Sequence, residues 1–193
     1  MGLADEWSSL SPFEFASRLR DLIERARGGD GEAHATLESL VRACDYASWT
    51  SHAQYCCAVT SALIQTGTHR SMLLMMRTLN SLPATVPFGA VELFASNLPV
   101  YGENILPTLR GMVDSESDAV RAVAIQTLCN LFLEGKLTDP DAQLLRSRIE
   151  KLEPDRFGTD QFADLVKSEM QRKKEDGQVF LASILVDGLH QAT

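Results

Sequence analysis

Charge is nearly missing from the middle of this chain. Residues 51–100 carry only Glu92, Arg70 and Arg77, whereas nine acids and five bases fall in 1–50, eight and five in 101–150, and eight and six in 151–193. A nearly uncharged middle between acidic ends is expected of helices that have neighbours on both sides. Strand-like alternation is scarce, and no run of about 18 apolar residues occurs, which argues against a spanning helix. The start, MGLADEWSSLSPFEF, has neither the basic nor the apolar stretch of a leader, and Glu6 stands where a myristoylation motif needs serine or threonine. The expectation is a cytoplasmic protein with no membrane partner.

Disulfide and catalytic signatures are missing too. Cys44, Cys56, Cys57 and Cys129 follow no framework spacing, which favours a reducing compartment. There is no Gly-x-Ser-x-Gly elbow, phosphate-binding glycine loop, dinucleotide fingerprint or His-Glu-x-x-His pair, and His34, His52, His69 and His190 lie on different elements. The expectation is no enzyme, no catalytic residue and no cofactor. His52 and Cys56, four apart, have the step of paired helical metal ligands, but two ligands do not make a site and small cysteines commonly pack in cores. No metal is therefore expected. The net charge of -8 opposes a phosphate backbone, so nucleic acid is excluded as the default partner in favour of a basic protein.

Helix signals are dense. Ser11-Pro12-Phe13-Glu14 combines a capping serine, proline in the first turn and glutamate three residues after the cap, ahead of an apolar series that stops at Gly28-Gly29. Asp30 opens a second helix, and a third runs from about Ser51 to Gln65. Prolines bound the next two, Ser71–Leu82 and Pro87–Leu98. Asn104–Val113 and Asp118–Glu134 follow, the latter with Gly135 as its stop. Asp139–Leu152, Thr159–Lys174 and Gly177–His190 complete about ten helices in a single all-α domain. Residues 12–66 form irregular N-terminal helices, 71–134 repeat pairs and 140–190 capping helices.

Displacing the chain by 33 residues places Pro107 over Leu74, Leu109 over Met76, Met112 over Leu79, Ala124 over Val91, Leu128 over Ala95 and Leu131 over Leu98, all apolar pairings. Two helices per period in the thirties mark a stacked helical repeat. Within it, Ile105-Leu-Pro-Thr-Leu-Arg-Gly-Met-Val-Asp114, an acidic turn and Asp118-Ala-Val-Arg-Ala-Val-Ala-Ile-Gln-Thr-Leu-Cys-Asn-Leu131 resemble a HEAT repeat. The unit at 72–98 departs from that pattern, with Pro87 in place of valine and Gly89-Ala90 in place of arginine.

The resemblance implies a right-handed superhelical stack of antiparallel helix pairs. It also implies that Asp118 and Arg121 form a structural ladder, since such residues in HEAT repeats bond to neighbouring turns. Enzymes of that fold need repeated His-Glu pairs or a basic, aromatic-lined groove; neither is legible here, where Trp7 and Trp49 are isolated.

Glu103, Asp114, Glu116 and Asp118 cluster in expected turns and form the candidate protein-binding surface. A small acidic scaffold suits the inhibition of a basic toxin or nuclease by masking its active cleft, as an immunity protein does; a scaffold or adaptor subunit of a larger assembly is the alternative, and a HEAT-like enzyme of the glycosylase or lyase type the second. The run Met72-Leu-Leu-Met-Met76 reads as a helix covered on two sides, and Arg172-Lys173-Lys174 as favourable charge at a helix C-terminus. The apolar segment 179–190 reads as a cap folded over the array, with a partner surface as its alternative.

Overall fold

Ser11 begins the first helix as its sequence demands. Its hydroxyl accepts from the Glu14 amide at 3.4 Å while Glu14 Oε2 accepts from the Ser11 amide at 3.1 Å, and Pro12 occupies the first turn. The computed structural model describes residues 6–7, 9–44, 48, 52–80, 82 and 86–190, with the backbone alone at 53, 80 and 176–190. Trp49, Ser51 and Pro83 lie outside the described residues.

Helix α1 is Pro12–Arg27, and α2, Gly31–Arg42, starts where Asp30 Oδ1 accepts from the Glu32 and Ala33 amides. Then come α3 (Ala53–Gln65), α4 (His69–Asn80) and α5 (Phe88–Asn97), a 3-10 segment (Leu98–Ile105), and α6 (Leu106–Met112). The chain continues through α7 (Asp118–Leu133), α8 (Asp139–Ile149) and α9 (Thr159–His190). Gly135, at φ +70, closes α7 as its amide reaches the Phe132 carbonyl and that of Lys136 the Leu131 carbonyl. Among the described residues every regular element is helical.

Alternate helices pack on one another: α1 on α3, α3 on α5, α5 on α7 and α7 on α9. The intervening elements also meet in order, α2 touching α4 and α4 touching the 3-10 segment. Helix α7 lies deepest. From Ala122 to Cys129 every residue is buried, so small side chains such as Ala122 and Ala124 are needed where neighbours close in from several directions.

Side-chain hydrogen bonds between elements far apart in the chain span a narrow range of sequence. His34 Nε2 lies 2.9 Å from Thr68 Oγ1, Arg70 donates to Glu38, Ser61 to Asn97, Asn130 to the Ala95 carbonyl and Arg110 to Asp141. Separations run from 30 residues for Ser71 with Tyr101 to 38 for Arg27 with Gln65.

Three expectations change. The two C-terminal helices are one, because Gly177 sits inside α9 without breaking it. Arg172, Lys173 and Lys174 consequently lie mid-helix: Arg172 pairs with Glu169 at 2.7 Å, and Lys173 covers the Phe132 ring at 4.8 Å. The helix expected from Asn104 starts at Leu106, after the 3-10 segment in which Gly102 takes φ +57 and ψ -138.

Candidate functional site

Val113 and Asp114, at the end of α6, lead into a turn built from serines. Ser115 Oγ accepts from the Ser117 amide at 3.2 Å, Ser117 Oγ accepts from the Val120 amide, and α7 begins. Asp118 in its first turn meets the positive end of the helix dipole. Arg121, one turn on, donates to the Ser115 carbonyl at 2.6 Å and pairs with Asp118. Both bonds of Arg121 fall within its own turn, whereas the polar links to elements about 30 residues away run through Asp114, Arg110, Gln126 and Asn130.

This turn forms one wall of a cleft of about 640 Å3. The opposite wall is the C-terminal turn of α8, with Arg148 and Lys151, and the connection from Leu152 to Phe157. Arg148 Nη2 reaches Asp114 Oδ2 at 2.7 Å and ties the walls together.

The connection is held from beneath. Gln126, fully buried in α7, donates to the Phe157 carbonyl at 2.9 Å and to Thr159 Oγ1 at 3.1 Å. Asp155 Oδ1 accepts from the Phe157 and Thr159 amides and so caps the approach to α9, with Gly158 at φ +63 making the bend.

Four acids, Asp114, Asp118, Glu153 and Asp155, and four bases, Arg121, Arg148, Lys151 and Arg156, line the cleft. They differ in exposure. The side chains of Asp114 and Asp118 are 63% and 69% exposed, those of their partners Arg148 and Arg121 only 39% and 38%. In both pairs the carboxylate is the more exposed member.

Of the four acids singled out from sequence, Asp114 and Asp118 come together here. Glu116 is exposed on the same turn but outside the cleft lining, and Glu103 is exposed in the 3-10 segment. Arg148 was not legible as a member: on α8 it reads as one charge of a solvated face, and its only signal is a position 34 residues after Asp114, within the range of the unit-to-unit bonds.

All four cysteines are thiols outside any disulfide, and Cys44, Cys56 and Cys129 are buried. Burial pushes the Cys57 thiol up to about 11 and that of Cys129 up to about 12, so both are protonated at neutral pH. His52 is the N-cap of α3, with a non-helical backbone, and its carbonyl accepts from the Cys56 amide at 3.1 Å. Among the described residues no group of three or more His, Cys, Asp or Glu could hold a metal ion. In the methionine-rich run, Met72, Leu74, Met75 and Met76 are buried and Leu73 is half exposed. No helix among the described residues is long and apolar enough to cross a membrane.

Comparison with known proteins finds no family model, no curated protein and no solved structure that matches this chain.

Proposed function

We propose that the protein is a non-catalytic, cytoplasmic protein-binding module that uses the exposed carboxylates of Asp114 and Asp118 to engage a basic protein. The observation that carries this reading is the greater exposure of the carboxylate in each of the two ion pairs. An arginine or lysine from a partner can reach either carboxylate without first entering the cleft, and exposed ion pairs cost only about 0–1 kcal/mol to rearrange. The net charge of -8 adds long-range attraction for a basic partner and speeds encounter.

In its specific form the module is an inhibitor of the immunity type, which masks the active cleft of a basic toxin or nuclease. Its helices form a HEAT-like superhelical stack. Support for that arrangement comes from the succession of alternate-helix contacts and from unit-to-unit hydrogen bonds between residues 30 to 38 apart. The test is binding to the captured partner by wild-type protein and by Asp114→Asn/Asp118→Asn. Binding that weakens with salt and with neutralisation supports the reading; binding indifferent to both sinks it.

A further inference from the structure

On a chain whose net charge is -8, the gap between α8 and α9 gathers charge of the opposite sign. Two adjoining grooves of about 260 and 280 Å3 open there, and Arg146, Met170 and Lys174 line both. Lys167 and Glu150 complete the charged lining of one groove and Lys173 that of the other. A single acid thus stands among four bases.

The fold uses these bases unequally. Lys167 pairs with Asp164 at 3.1 Å, and Lys173 lies over the Phe132 ring and 4.0 Å from Glu169. Arg146 and Lys174, the two bases common to both grooves, are exposed and make no ion pair with any carboxylate among the described residues. Like charges gathered on one surface repel, and an anionic partner converts that repulsion into affinity.

Between the bases the lining is apolar. Ile149 is 1% exposed, and Met170 and Phe132 are partly buried against the core. A phosphate backbone gains nothing from such a lining and is opposed by the net charge of the chain, whereas a peptide with both carboxylates and apolar side chains uses every part of it. Along α8 the lining runs from Ala142 to Glu150, about 12 Å at about 1.5 Å per residue, which matches anchors two turns apart on a docked helix.

We propose that this face docks an acidic, amphipathic helix of a partner protein, with carboxylates on Arg146, Lys167 and Lys174 and apolar side chains against Met170 and Phe132. It shares no lining residue with the cleft of Asp114 and Arg148, and the proposal does not rest on the function assigned to that cleft.

The probe is a fluorescein-labelled peptide of about 15 residues, long enough to form helix, built from glutamate and alanine with leucines four residues apart. Its anisotropy is titrated with the full chain up to about 1 mM, in about 0.05 M salt. Saturable binding is expected, and Arg146→Glu/Lys174→Glu weakens it at least about tenfold with the melting temperature unchanged, since both side chains are exposed. Arg20→Glu/Arg42→Glu makes the same change of net charge on exposed positions of α1 and α2, and shifts the affinity no more than about twofold. Glu150→Lys keeps every base, adds one, and tightens binding. Replacing the leucines of the probe by alanine, or its glutamates by glutamine, weakens binding. No saturation by about 1 mM, equal losses in the two double variants, or indifference to the leucines overturns the proposal. So does Glu150→Lys with unchanged or weaker binding, a result that stands even if Arg146→Glu/Lys174→Glu is destabilised. Tighter binding of an oligothymidylate of equal charge also overturns it, by making the face a nucleic-acid site.

Discussion

Gln126 Nε2 lies 2.9 Å from the Phe157 carbonyl oxygen, and this bond fastens the connection between α8 and α9 to the most deeply buried helix of the fold. The far wall of the cleft hangs on that amide. Gln126→Leu keeps the volume but leaves the Phe157 carbonyl and Thr159 hydroxyl without their donor, at a cost of about 1–3 kcal/mol. For a chain of this size, thermal denaturation is expected to shift down by about 2–4 °C per kcal/mol. A wild-type melting curve would show that the bond contributes nothing.

Asp141 gives the account a pH dependence. Its side chain is 1% exposed and accepts from Arg110 at 2.6 and 3.0 Å and from Thr138 at 2.5 Å. The Arg110 bonds, with help from Thr138 and against the cost of burial, hold its carboxyl below the ordinary 3.8. The unfolded chain therefore binds this proton more readily. The contribution is complete above about pH 4 and is lost as pH falls through the lower folded value. Asp141→Asn should be less stable than wild type at pH 7 by about 1–2 kcal/mol, and denaturant titrations should show the gap narrowing below about pH 4. A gap that stays constant with pH would contradict this.

Crowding around α7 predicts a contrast between two alanines. Ala124 is fully buried and Ala35, on α2, is exposed. Ala124→Leu should cost about 1–3 kcal/mol by overpacking, while Ala35→Leu should stay within about 0.5 kcal/mol of wild type. Equal effects in denaturant unfolding would mean that α7 is not packed from several directions.

The buried thiols predict slow chemistry. With its pKa pushed up to about 12 by burial, Cys129 should react with a disulfide reagent at neutral pH only after unfolding. Mass-spectrometric mapping of labelled cysteines in native and denaturing buffer checks this; prompt native labelling of Cys129 would contradict it.

Local chemistry explains which parts of the fold were legible in the sequence. The capping box at Ser11 and Glu14 and the glycine stop at Gly135 act through the backbone a few residues away, so a short window shows them. Gly177 reads as the start of a separate helix but is a helix-interior glycine, whose cost of about 1 kcal/mol relative to alanine a long helix absorbs. The 3-10 stretch was missed because Pro99 and Gly102 suit a helix border and a tight turn equally well. In the cleft, Asp114 and Asp118 stood out as an acidic turn. Arg148 did not, because its significance is a contact 34 residues away that no local pattern announces.

Stability and binding should separate at those two acids. Asp114 and Asp118 are well exposed, and an exposed ion pair contributes at most about 1 kcal/mol. Asp114→Asn/Asp118→Asn should therefore melt close to wild type, and the decisive measurement is its affinity, beside that of wild type, for the basic protein captured from the source cells. Titrations at about 0.05 and 0.2 M salt, where screening differs substantially, are expected to show at least about tenfold weaker binding by the double variant and a smaller salt dependence than wild type. Equal affinity and equal salt dependence for the two proteins would contradict the account.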